Sequence, residues 1–326
     1  MKRILWLCLL LVCTGAIGIV AQSAEDSEPT ISSYNLGDGI IVQERFPEDS
    51  RFRNMPIPLE GLIVVPSGEG PYPVVLLAHG RHFRCTAPLD DARGGVDPFP
   101  CPPDAVIRNY EGWAEVAGDL AANGYIVLVP NINEVSTNGF GEYPQDLRFQ
   151  PLMDLHLGRL IAANAGEEDG FGVDLTGKVD MNELVMMGHS QGASMVSEYS
   201  TVLGETDGVV PPPLALLLVT PALNYEVINI PDVPVAVIVS RCDGDIGPDH
   251  SLVYTERLQA DELRESPTET VWLPRGNHNG FNSILRGDFL ASRTCVGETL
   301  MAGEAQRDWL GNYAVAYFDR ILTPSG

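Results

Sequence analysis

Lysine is nearly missing from this chain: Lys2 and Lys178 are the only two in 326 residues, and twenty basic side chains face forty-four acidic ones for a formal charge of −24. So acidic a surface repels nucleic acid and anionic lipid and favours solubility. A phosphate-cradling G-x-x-x-x-G-K-[ST] loop is absent, as is any C-x-x-C pair, so neither P-loop nucleotide binding nor the common paired-cysteine zinc motifs apply. No internal repeat is visible, which excludes repeat architectures. After residue 20 no apolar run is long enough to cross a bilayer.

What is present begins with Met1-Lys2-Arg3, then the apolar stretch Ile4 to Val20, then polar Gln22 to Asp26. This charged, apolar, small-residue order is that of a secretory leader, with cleavage expected near Ser23 or Ala24. The rival reading is a single N-terminal membrane anchor. The expected organisation is a signal peptide over 1–24, a polar, mobile segment over 25–39, and one α/β domain over 40–326. Loss of the leader makes the mature chain two charges more negative.

Cys8 and Cys13 leave with the leader, while Cys85, Cys101, Cys242 and Cys295 remain. An even number in an exported chain suggests two disulfides, and three pairings are open. The local pairs, Cys85 with Cys101 and Cys242 with Cys295, are the preferred reading.

Beyond residue 39, strands are expected at 40–46, 59–65, 73–78, 125–130, 183–187, 214–219, 235–239 and 270–273. Helices are expected at about 110–123, 143–165, 191–203, 249–263 and 304–322. Short, continuously apolar strands alternating with helices indicate a mostly parallel sheet covered on both faces. Only about fifteen residues separate Val219 from Val235, which leaves no room there for a lid domain.

The chemistry centres on Gly188-His189-Ser190-Gln191-Gly192, a G-x-S-x-G motif between an apolar run and a helix-forming segment. At a strand-to-helix turn this pattern presents a serine hydroxyl at the carboxyl edge of a sheet. A serine needs a base to accept its proton and an acid to orient that base, here in the chain order Ser, Asp or Glu, His. His278, in the loop after the last strand, fits the base, whereas His250 reads as a solvated residue at a helix start. Asp243 is the first choice for the acid and Asp245 the runner-up. The oxyanion hole is expected from the backbone N–H groups of Gln191 and Arg81. His79 and His82 lack a third ligand at metal spacing, and neither a metal nor a cofactor is expected. Phe83, Phe99, Phe140, Tyr143 and Phe149 could line a substrate site or simply anchor loops.

The segments "LLAHGRHFRC", "FPCPP", "LAANGYIVLVPNIN", "MGHSQGAS", "SRCDGDI" and "RGNHNGFNS" together resemble the α/β-hydrolase superfamily over nearly the whole mature chain. Within it they are similar to secreted serine hydrolases of dienelactone-hydrolase-like, chlorophyllase-like and platelet-activating-factor-acetylhydrolase-like type. The resemblance implies Ser190 as nucleophile, His278 as base and Asp243 as acid. It implies a secreted enzyme acting on a small-molecule or lipid-like ester, with a serine peptidase or a non-catalytic binding protein on the same scaffold as alternatives. Pro221 is followed by Ala222 and Leu223 rather than an aromatic residue, a departure from the superfamily's polyester hydrolases.

Overall fold

The computed structural model of the chain describes residues 28–86, 101–137, 140–141, 145–205, 208–223, 230–285 and 294–322. The leader expected over 1–24 lies outside them. In chain order the elements are β1 (Thr30–Val42), β2 (Asn54–Val65), β3 (Tyr72–Ala78), α1 (Ala114–Ala122), β4 (Ile126–Pro130), α2 (Gln145–Asn164), β5 (Val179–His189), α3 (Gln191–Glu205), β6 (Leu216–Val219), β7 (Val235–Ser240), α4 (Pro248–Ala260), β8 (Thr268–Leu273) and α5 (Gly303–Leu322).

They build one eight-stranded sheet in the order β1-β2-β4-β3-β5-β6-β7-β8. From β4 to β8 every neighbouring pair is parallel, while β1 with β2 and β2 with β4 are antiparallel. The continuous apolar runs follow from burial on both faces. Val74, Leu76 and Ala78 of β3, Leu184 and Met186 of β5, and Val235, Val237 and Val239 of β7 enter one core, against α2, α3 and α4. The alternate residues Val75, Leu77, Val185, Met187, Ala236 and Ile238 enter a second core under α1 and α5. Each valine, leucine, isoleucine or methionine among them contributes about 1.5–3 kcal/mol relative to exposure. Among the described residues there is no lid domain between β6 and β7.

Two expectations are corrected. The segment 25–39, expected to be mobile, is strand from Thr30 onward, paired with β2 on either side of a break at Leu36 and Gly37. Its apolar signal is thin because β1 is an edge strand with one buried face. Only Tyr34 and Ile41 are buried in it. Seven positions apart, these two would point to opposite faces of an unbroken strand. A register shift between Asn35 and Asp38 turns both into the same core. The second strand likewise starts at Asn54 rather than 59, running through Pro56 and Pro58. Those prolines lie beyond the stretch paired with β4, Gly61–Val64, so their missing N–H groups break no ladder on that side.

Candidate active site

Strand β5 ends at His189 and α3 begins at Gln191, leaving Ser190 alone at the junction. Its φ of 55° is left-handed, a conformation rare for a residue with a Cβ. Two backbone hydrogen bonds hold it there: Ser190 N–H donates to Val219 O at 2.9 Å, and Ala222 N–H donates to Ser190 O at 3.0 Å. The flanking glycines are required by close approach. A Cβ on Gly188 would lie 2.6 Å from Ala193 Cα, and one on Gly192 would lie 2.5 Å from Ala78 O. Thr220, beside the serine at the end of β6, is also left-handed, with φ 42°. Such residues cost about 1–3 kcal/mol each and persist where surrounding structure over-determines them.

Asp243 and His278 follow β7 and β8. The Asp243 side chain is wholly engaged: Oδ1 accepts the N–H groups of Asp245, Ile246 and Gly247 at 3.0, 3.0 and 3.2 Å. Its Oδ2 accepts Nδ1–H of His278 at 2.7 Å. Both side chains are buried. Burial by itself would raise the Asp243 carboxyl, but the hydrogen bond and charge of His278, with the backbone N–H groups, outweigh it and hold the carboxyl below its ordinary value. Asp245 reaches the same ring from the other side, with Oδ2 3.7 Å from His278 Nε2 and half of its side chain exposed. The two acidic candidates therefore serve different nitrogens.

The loop carrying His278 is fastened from below. Gln306 of α5 accepts the Asn277 N–H at 3.0 Å and donates to Asn277 O at 2.7 Å. Asn277 Oδ1 in turn accepts the Gly280 N–H. Arg81 and Gln191 line one small pocket together with Gly80, His82, Ile132 and Met195. Behind it His79 donates Nδ1–H to Gly80 O at 2.8 Å and accepts the Ile132 N–H on Nε2 at 3.0 Å. Burial pushes its pKa down to about 4, so the ring is neutral and both its nitrogens are committed to backbone.

No family model and no curated protein sequence matches the chain. Solved structures do. An esterase from Rhizomucor miehei aligns with a TM-score of 0.51 and 14% identity, over 90% of this chain and 85% of that one. The esterase Est22 aligns at 0.51 and 11%, over 90% and 83%. The acylaminoacyl peptidase of Pyrococcus horikoshii aligns at 0.50 and 13%, over 92% of this chain but only 43% of the peptidase. The chain has the α/β-hydrolase fold.

In an α/β-hydrolase sheet, ligands bind outside the carboxyl ends of the parallel strands. That edge is where this one brings Ser190, Asp243, His278, Arg81 and Gln191. Cys85 and Cys101 are bonded, with Cα atoms 5.8 Å apart, and so are Cys242 and Cys295, at 5.3 Å. His250 is less solvated than expected, because its Nδ1 accepts the Leu223 N–H at 3.2 Å. Phe149 is fully buried in the core and Phe83 is exposed, while Phe99 and Tyr143 lie outside the described residues. Among the described residues no helix is long and apolar enough to cross a membrane.

Sequence reasoning missed a set of buried amides that joins the loops at this edge of the sheet. Asn109 donates to Phe83 O and to Asn133 Oδ1, Asn133 donates to Ile107 O, and Asn282 donates to Asn109 O. These bonds tie the first disulfide loop to the segment after β4 and to the histidine loop. Single asparagines in loops carry no periodic signal: Asn133 and Asn282 stand in segments already quoted, but nothing in their spacing joins them to Asn109.

Proposed function

We propose that the protein is a secreted serine hydrolase that cleaves carboxylic esters through an acyl-enzyme intermediate. The observation that carries this reading is the buried pair His278 Nδ1–H···Asp243 Oδ2 at 2.7 Å, set at the same sheet edge as a serine held in a strained strand-to-helix turn. With Nδ1 donating to Asp243, neutral His278 keeps its lone pair on Nε2, the form a general base requires. Ser190 Oγ attacks the ester carbonyl while Nε2 takes its proton. The negative charge that forms on the carbonyl oxygen is met by the backbone N–H groups of Gln191 and Arg81. The imidazolium then gives its proton to the departing alcohol, and water, activated by the same nitrogen, releases the acid from Ser190.

Asp243 stays ionised and holds the ring in the required tautomer. The two disulfides fit an oxidising compartment, in keeping with export behind a leader. The substrate class is a small-molecule or lipid-like ester. Parallel assays on short acyl esters and aminopeptidase substrates separate this reading from peptide hydrolysis on the same scaffold. Ser190→Ala should reduce hydrolysis of p-nitrophenyl acetate by about a millionfold, as loss of a serine nucleophile does, with melting behaviour unchanged. Turnover by that variant at the wild-type rate overturns the assignment.

A further inference from the structure

Histidine is scarce in this chain, yet four of its six copies, at 79, 82, 189 and 278, gather at the carboxyl edge of the sheet. His79 is explained by its two backbone bonds, and His278 by its bond to Asp243. His189 has no part in the mechanism above, although it is fully buried immediately before the serine. Its Nε2 lies 2.9 Å from the main-chain oxygen of His278. A carbonyl can only accept, so Nε2 carries the proton and the ring is the Nε2–H tautomer. Nδ1 is then a lone pair, buried without a hydrogen-bond partner among the described residues. Burial, reinforced by the neighbouring imidazoles, holds the His189 pKa well below its ordinary value, which keeps the ring uncharged.

The ring is also the hub of an aromatic cluster. Its centroid is 4.7 Å from that of His278, 5.6 Å from Trp113 and 5.8 Å from Phe281. An asparagine or serine could not fill that space, and a lysine could not be kept neutral so cheaply. A purely apolar ring would pack as well, but it would leave the His278 carbonyl without this donor. Losing a hydrogen bond at a buried acceptor is destabilising, and the histidine loop would shift in response.

We propose that His189 is a positioning residue for the base: its Nε2–H fixes the His278 backbone to the nucleophile turn, as Asp243 fixes the His278 ring. The two anchors act on different ends of one residue. Asp243 sets the ring's tautomer and rotation, and His189 sets the separation between the peptide that carries the ring and the peptide that carries Ser190. Because His189 and Ser190 are adjacent, any drift of the histidine loop is measured directly against the hydroxyl. This inference rests on the serine-hydrolase reading given above.

The test compares wild type, His189→Gln, His189→Phe and Ser190→Ala in the full chain, with kcat and KM measured on p-nitrophenyl acetate and melting followed in parallel. Glutamine keeps an N–H donor at similar reach and gives up the ring, whereas phenylalanine keeps the ring and gives up the donor. Phe should lower kcat by about 30- to 100-fold with KM within twofold, the scale of a misplaced reacting group. Gln should restore kcat to within about fivefold of wild type, although it packs worse and melts lower than Phe; a merely structural role would rank the two variants the other way. If His189→Phe does not fold, His189→Leu takes its place as the donorless variant. Equal kcat in the Gln and donorless variants, or a wild-type kcat without the donor, overturns the proposal while leaving the Ser190 assignment standing. Turnover by Ser190→Ala overturns both.

Discussion

The proposed nucleophile half and the proposed acid–base half of the site are built by different physics. Around Ser190 the backbone is strained and the space is filled: φ is positive at Ser190 and Thr220, and neither Gly188 nor Gly192 has room for a Cβ. Around His278 the backbone is ordinary, and the geometry is set instead by polar contacts. Asp243 caps its own turn with three N–H bonds, Gln306 clamps Asn277, and Cys242 is bonded to Cys295. Steric exclusion by main-chain atoms leaves no side chain that can rotate away, so any added atom must move whole elements. Hydrogen bonds and a cross-link can be removed one at a time. The first half should therefore fail abruptly under substitution, and the second should fail by degrees.

The proposed acid, Asp243, provides the largest graded effect. Asp243→Asn keeps the shape but presents a donor to Nδ1 and favours the wrong imidazole tautomer, so kcat should fall by about 10,000-fold. Asp245→Asn should do much less. Its carboxylate lies 3.7 Å from Nε2 and half in water, where it favours a protonated His278. Protonated His278 cannot accept the Ser190 proton, so Asp245→Asn should move the acid limb of the kcat/KM profile to lower pH and leave the plateau within about threefold. Titrating both variants against wild type checks the division of labour. A large plateau loss in Asp245→Asn with a mild effect in Asp243→Asn would exchange their roles. For the other half, Gly192→Ala places a methyl 2.5 Å from Ala78 O. The first turn of α3 must back away from β3, lowering stability by roughly 1–3 kcal/mol and, through the displaced Gln191 N–H, lowering kcat by about 100-fold. Wild-type melting and turnover in that variant would show that the turn is looser than its packing implies.

The same contrast explains what the sequence could disclose. The turn at Ser190 was legible because its steric demands are local: five consecutive residues contain both the strained position and the glycines that permit it. The place of His278 beyond a strand end was legible through chain order, since the proposed base has to follow an acid and end a strand. The choice between Asp243 and Asp245 was not, because both lie on one turn and both reach the imidazole. Only the three N–H groups that engage Asp243 Oδ1, and so aim Oδ2 at Nδ1, decide which nitrogen each carboxylate meets. The clamp by Gln306, twenty-nine residues downstream of Asn277, and the donor at His189 were invisible for the same reason. Contacts between residues distant in the chain leave no spacing to read. The core strands announced themselves by runs buried on two faces, whereas β1, buried on one face and shifted in register midway, did not.

The smallest expected effect concerns the cross-link, and it bears on whether the acid–base half is held by one device or by several. Cys242 precedes Asp243, and its N–H donates to Gly276 O at 3.0 Å, so the acid turn already touches the histidine loop without the disulfide. Arg241 adds a two-pronged ion pair to Glu298, three residues past Cys295, but both partners are substantially exposed and the pair is screened by solvent. The bond to Cys295 thus restrains a turn that these two contacts and the Asp243–His278 hydrogen bond also define. Replacing both cysteines by serine should lower kcat/KM only about three- to tenfold, with most of the loss in kcat, and should leave labelling of Ser190 by a fluorophosphonate complete though slower. Breaking Cys85–Cys101 instead should act on the Arg81 side of the pocket and leave the Asp243–His278 pair intact, so the acid limb of its pH profile should stay in place. If the Cys242–Cys295 variant loses activity as completely as Asp243→Asn, the hydrogen bonds do not hold the acid turn by themselves, and the graded character assigned to this half of the site is wrong.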